Sequence, residues 1–155
     1  MMRVFGCRRY WQGYNLNMII FHLISLTFVV VCVFLSDKMA MSWIRGTKQT
    51  LPENKLHLFH RLVWLGLGLM IVTGFFMFWE RRDYLLHRPA FLVKMFFVGL
   101  LFINSFFIGK LLPIATIRPY ASLTMKEKIP LFLSGVISTV SWVSAAILAF
   151  FIYPD

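Results

Sequence analysis

Acidic residues are scarce in this chain: six Asp and Glu stand against sixteen Lys and Arg. None of the six falls well inside a long apolar run. A carrier that moves protons on intramembrane carboxylates is therefore disfavoured, and no pair of carboxylates is placed for general acid–base work. Cysteine is scarcer still. The two present, Cys7 and Cys32, fall toward opposite ends of the first apolar run, which argues against a disulfide framework or a cysteine zinc site. Cys32 reads as a small buried residue. There is no glycine-rich phosphate loop, no Ser-His-Asp order with plausible geometry, and no repeat of about 20–50 residues. Also missing is any polar stretch long enough to fold as a soluble domain. The net charge of +10 is to be read against that last absence. A nucleic-acid interface needs a soluble basic face, and none is left over. The basic residues lie between the apolar runs, where they anchor a protein against anionic head groups.

What the chain has in excess is apolar surface. Hydrophobic residues make up 59% and aromatics 17%, well above soluble averages. Four runs, about 16–36, 58–79, 90–112 and 130–153, account for the excess, and each is long enough to cross a bilayer. The first is too long for a signal-peptide core and no small-residue cleavage site follows it, so it is read as a retained anchor. The expected fold is all-α: a polytopic integral membrane protein, one membrane domain over residues 1–155, with four transmembrane helices in an antiparallel bundle in contact with lipid.

In chain order, residues 1–14 resemble an interfacial segment, with Tyr10, Trp11 and Tyr14 at head-group depth and Arg8 and Arg9 on phosphates. In the first span His22, Ser25, Val29, Cys32 and Ser36 share one helical face, which must point inward because an imidazole in hydrocarbon is costly. Residues 37–56 read as a polar connection, or in their first part as an interfacial extension of the first helix past Ser36, with Trp43 as a belt residue. In the second span Gly66 and Thr73, one heptad apart, offer a close helix contact, and Trp64 and Trp79 suit its two ends. The Glu80–Pro89 turn is short, so spans two and three should lie side by side as the organising hairpin, with Pro89 in the first turn of the third helix. There Lys94, Phe97, Leu101 and Asn104 form a stripe. Pro113 and Pro119 mark the next loop. In the fourth span Ser134, Ser138, Ser141 and Ala145 form a small-residue packing face. Four spans put both termini on one side, side A, together with the Glu80–Pro89 turn. The density of arginines there leans toward the cytoplasm.

Three residues stand out for chemistry. His22 enters from side A to roughly 10 Å depth at about 1.5 Å per residue, and Lys94 enters from the same side. A neutral histidine can ligate haem iron, and a nearby cation can neutralise a propionate or another carboxylate. Asn104 would be a supporting polar group. The plainer alternative is a bundle histidine hydrogen-bonded to a neighbour, with Lys94 snorkelling to the interface. A bis-histidine haem is not expected, because His57 and His60 lie at the side B end of the second span. His57 and His60, with Met39 and Met41, form a soft-donor set that suits copper, particularly Cu(I). Arg81, Arg82 and Arg88, with Glu80 and Asp83, cap the turn. Three functions follow as alternatives. One is a haem b or porphyrin protein with a redox role, which if an enzyme is a membrane oxidoreductase. Another is a non-enzymatic accessory subunit that docks a membrane-protein partner, or a second copy, through the Ser134/Ser138/Ser141 face. The last is a copper-handling protein.

His22 with Lys38 at the far end of the first span, GFFMFW closing the second, and AFLVK with Lys94 opening the third resemble the bacterial membrane protoporphyrinogen oxidases of the HemJ type. Lys94, Asn104 and the closing KLLP are also similar to the membrane domain of the copper-resistance D (CopD) proteins. The resemblance covers residues 18–113. It implies a four-helix, haem- or redox-associated scaffold in a bacterial inner membrane.

Overall fold

A computed structural model describes residues 16–152, apart from the side chain of Phe150. The expectations for Cys7, Arg8, Arg9, Tyr10, Trp11 and Tyr14, and the end of the fourth span at Tyr153, lie outside the described residues. Four helices form the fold: α1 (Leu16–Ile44), α2 (Glu53–Leu85), α3 (Pro89–Ile117) and α4 (Met125–Phe151), with one 3-10 turn (Tyr120–Ser122) before the last. All four are long and apolar enough to cross a membrane. At most 17% of the best apolar window of any span is buried within the protein. Such a chain in water would expose a large contiguous hydrophobic surface, so hydrocarbon is its solvent.

Each helix outruns its expected span. α1 continues past Ser36 and ends at Ile44, where Gly46 at φ +74° takes the left-handed conformation that glycine adopts without steric cost. Trp43 is correspondingly not a belt residue. It is only 2% exposed, in a cluster with Leu51, Leu56, Ala115 and Leu123. Its indole N–H donates to the Arg118 carbonyl at 3.1 Å. The connection expected over 37–56 shrinks to residues 45–52, and Leu51 within it is buried. α2 loses helical geometry at Arg81 (φ −132°, ψ 25°) and then makes one more turn to Leu85. Regular helix therefore stops close to where the apolar run stops, and the turn narrows from Glu80–Pro89 to Leu86, His87 and Arg88.

α3 overturns the expectation that Pro113 opens a loop: the helix carries Pro113 inside it and runs to Ile117. Proline removes one helical N–H and costs several kcal/mol in an isolated helix. Membrane helices tolerate it when neighbours re-satisfy the backbone. Beyond Pro113 the end of the helix is held from outside: the Leu51 N–H donates to the Ala115 carbonyl at 2.9 Å, and the Trp43 bond to the Arg118 carbonyl ties down the residue after the helix. α4 begins at Met125 rather than Pro130, because Thr124 and Glu127 close a capping box around its first turn.

The pairing of the helices also differs from expectation. α1 packs along α2 and α3 along α4, while α2 and α3 share far fewer close contacts. The reason lies in the faces. Gly66 on α2 meets Val29 so closely that a Cβ there would overlap it. Asn104 on α3 is bonded to Ser134 on α4. The facing surfaces of α2 and α3 carry fewer such small or complementary residues. They meet at the Phe78–Phe91 stack, 5.6 Å between centroids, and at Trp64 against Phe102 and Phe106. The Tyr84 hydroxyl donates to the Ile152 carbonyl at 3.3 Å, which ties the end of α2 to the end of α4 on side A.

Candidate functional site

His22 sits on the inward face of α1 with the buried residues Ser25, Val29 and Cys32, as its spacing requires. Across the seam stands Thr73 of α2, and the imidazole Nδ1 lies 2.8 Å from its hydroxyl oxygen. The Thr73 hydroxyl directs its one proton to the carbonyls of Leu69 at 2.8 Å and Met70 at 3.2 Å. Donation to a carbonyl leaves the hydroxyl oxygen to accept from histidine, an arrangement that puts the proton on Nδ1 and the lone pair on Nε2. Gly66 and Thr73 thus do face α1 together, one as a steric gap and the other as an acceptor.

Lys94 enters α3 from the same end. It is half-buried and lies toward the same end of the bundle as His22. It forms no hydrogen bond or ion pair with any described residue. A half-buried ammonium with no counter-charge, beside a histidine with a free Nε2, offers one metal-ligating nitrogen and one anion-binding cation.

Asn104 does not join them. It stands ten residues after Lys94 on α3, roughly 15 Å further along at about 1.5 Å per residue. Its amide donates to the Ser134 carbonyl at 2.9 Å and its oxygen accepts the Ser134 hydroxyl at 2.9 Å. Both groups are buried. The pair clamps α3 to α4. With Ser134, Ser141 and Ala145 buried, the serine stripe of α4 is a packing face directed at α3.

The soft-donor set at side B is dispersed among other contacts. Met39 packs against the Trp43 cluster, and Met41 is exposed. His57 Nε2 lies 3.6 Å from the Glu53 carboxylate. His60 Nε2 accepts the Trp64 indole N–H at 3.1 Å and packs against Gly109 of α3. No group of three or more His, Cys, Asp or Glu side chains placed to hold a metal occurs among the described residues. In the charged cap, Arg82 pairs with Asp83 at 3.7 Å and covers the Trp79 ring, while Arg88 covers the Tyr84 ring. His87 is bonded to the Asp83 carbonyl at 2.6 Å on the turn, which holds it away from His22.

A second polar constellation escaped the sequence reading. A cavity of about 60 Å³ toward side B is lined by residues of all four helices. Its polar members are Ser36 and Asp37 of α1, His60 of α2, Asn104 and Ser105 of α3, and Ser138 and Trp142 of α4. Asp37 falls in what reads from sequence as a connection. The signal was its place directly after Ser36, the last residue of the inward stripe of α1.

Comparisons of the chain with protein-family models, with curated proteins and with solved structures return no match.

Proposed function

We propose that this chain is a small haem- or porphyrin-binding membrane protein with a redox role, and that its ligand lies at the side A end between α1 and α3. The observation that carries this reading is the His22–Thr73 bond at 2.8 Å. Histidines that ligate iron commonly donate one ring N–H to a neighbouring acceptor, which orients the ring and leaves the other nitrogen for the metal. His22 can be arranged in that way, so the residues present fit a haem that one protein histidine would hold. A second histidine does not reach that level. When bound, a haem b would supply one-electron chemistry. His22 would hold the iron through Nε2, Thr73 would keep the imidazole in the required tautomer, and Lys94 would neutralise a propionate. The resemblance of residues 18–113 to the HemJ-type oxidases and the CopD proteins points the same way. Asn104 acts in this reading through the scaffold alone.

The two alternatives have less support. Partner docking through Ser134, Ser138 and Ser141 would use a face that is packed on α3. Copper handling would require His57, His60, Met39 and Met41 to leave their present contacts.

Visible spectroscopy tests the proposal. The protein is expressed with haem supplied and purified in mild detergent. A Soret band that is lost on His22→Ala and kept on His57→Ala is the expected result. Colourless wild-type protein, or pigment retained by His22→Ala, would sink the idea.

A further inference from the structure

Four side-chain donors in the lining of the side B cavity have no acceptor among the described residues. Ser36 and Ser138 are two of them. A serine or threonine in an apolar helix usually donates to the carbonyl four residues back. Ser25, Thr27, Thr73, Ser105 and Thr139 do so here, but Ser36 and Ser138 do not. The Trp142 indole N–H is the third. His60 is the fourth. Its Nε2 accepts the Trp64 indole N–H at 3.1 Å, which puts its own proton on Nδ1. Donors left unpaired inside a membrane are costly. The lining also offers unused lone pairs. Ser105 spends its proton on Leu101 and keeps its oxygen free to accept. Asp37 is exposed and forms no ion pair with any described residue.

The cavity is long and thin. Its lining follows α2 turn by turn from Leu56 to Leu67, and α3 from Leu101 to Leu112. Each stretch covers roughly 16 Å at about 1.5 Å per residue. A volume of about 60 Å³ holds about four to six waters at roughly 10–15 Å³ each. In single file at about 2.8 Å per hydrogen bond, they reach roughly 11–17 Å, which is the length of the space.

The polar groups are spread along that length. Three contacts set the register of the helices: Val29 against Gly66, His60 against Gly109, and Asn104 bonded to Ser134. From side B inward, Asp37 comes first and His60 lies roughly 3 Å deeper. Ser105 follows roughly 6 Å beyond His60, and Ser138 roughly 7 Å beyond that, near the middle of α4. One or two waters span each gap.

We infer that the cavity is a single-file water channel closed at its inner end. Water enters beside Asp37 at side B and reaches Ser138 in the middle of the membrane. It accepts from Ser36, His60, Ser138 and Trp142 and donates to Asp37 and Ser105. The inner end is apolar: Leu67 and Leu101 are buried, and Val29 is buried against Gly66. Thr73 and its partner His22 lie roughly 9 Å past Leu67. This collar lets water, with the protons it carries, approach that level from side B without opening a pore through the bilayer. The inference needs no haem and holds for colourless protein.

The test is thiol reactivity toward silver ion, a cation small enough for a water file, on the full chain in mild detergent. Ser138→Cys places a thiol at the inner end. Val140→Cys places one at nearly the same depth on the lipid-facing side, where Val140 is exposed. After silver treatment the protein is denatured and alkylated, and peptide mass spectrometry reads the blocked fraction at each position. Ser138→Cys should be blocked at least about tenfold faster than Val140→Cys, because hydrocarbon excludes ions. Adding Ser36→Phe, which fills the mouth, should remove that advantage. Equal rates at the two positions overturn the inference, whether or not Ser36→Phe folds. So does a Ser138→Cys rate that a folded Ser36→Phe variant leaves unchanged.

Discussion

Asn104 and Ser134 hold each other in both directions across the α3–α4 seam, each donating to the other at 2.9 Å. Asn104→Leu removes both bonds and leaves the Ser134 hydroxyl without its acceptor. Interhelical bonds in membrane proteins contribute about 0.6 kcal/mol each on average and up to about 1.7. The variant should lose roughly 1–2 kcal/mol in reversible unfolding. A loss that small, with the His22 end unaffected, would place Asn104 in the scaffold. Loss of haem binding without loss of stability would return it to the site.

Gly66 and Gly68 separate steric need from chance. A Cβ at Gly66 would overlap Val29, which is 0% exposed, whereas at Gly68 it meets nothing within 4 Å. Gly66→Ala should cost about 1–3 kcal/mol through overpacking. Gly68→Ala should be neutral or slightly stabilising. Adding Val29→Ala to Gly66→Ala should recover part of the loss, and a double-mutant cycle in detergent unfolding measures it.

Lys94 carries the electrostatic half of the proposed haem site. Lys94→Gln should weaken haem retention about tenfold, equivalent to about 1.4 kcal/mol, and Lys94→Arg should restore most of it. The Soret position should stay constant through the series, because His22 remains the ligand. Haem titration of apoprotein followed at the Soret band gives both readouts.

Thr124 caps α4, which starts five residues before its proline. The capping box with Glu127 satisfies backbone donors at both positions. Thr124→Ala should cost about 1 kcal/mol and speed hydrogen exchange in residues 125–128. Exchange in the middle of α4 should not change.

The gross architecture was legible because lipid demands long apolar runs and internally bonded backbone, and both show in one dimension. The inward faces were legible too: Ser25, Val29 and Cys32 are buried as their spacing requires. Helix ends were not, because they depend on partners distant in sequence. Pro113 reads as a breaker until Leu51 and Trp43 are seen to support the turns beyond it. Trp43 reads as an interface residue until its cluster is assembled. The capping box at Thr124 and Glu127 was readable from its spacing and was passed over. His22 and Thr73, separated by 51 positions, could be matched by face and not by partner. Asp37 misleads in the opposite direction: its charge reads as the end of a helix that in fact continues to Ile44.

The division of the bundle into two tight pairs bears on how the protein is made. A ribosome delivers α1 and α2 before α3 and α4, and each pair buries its own seam, around Gly66 in one and Asn104 in the other. Each pair can therefore enter a bilayer as a self-sufficient hairpin, and the two need only dock afterwards. The linker at Leu86–Arg88 lies at that divide. A chain severed there should still yield two halves that insert independently and reassociate through Phe78–Phe91 and Tyr84–Ile152.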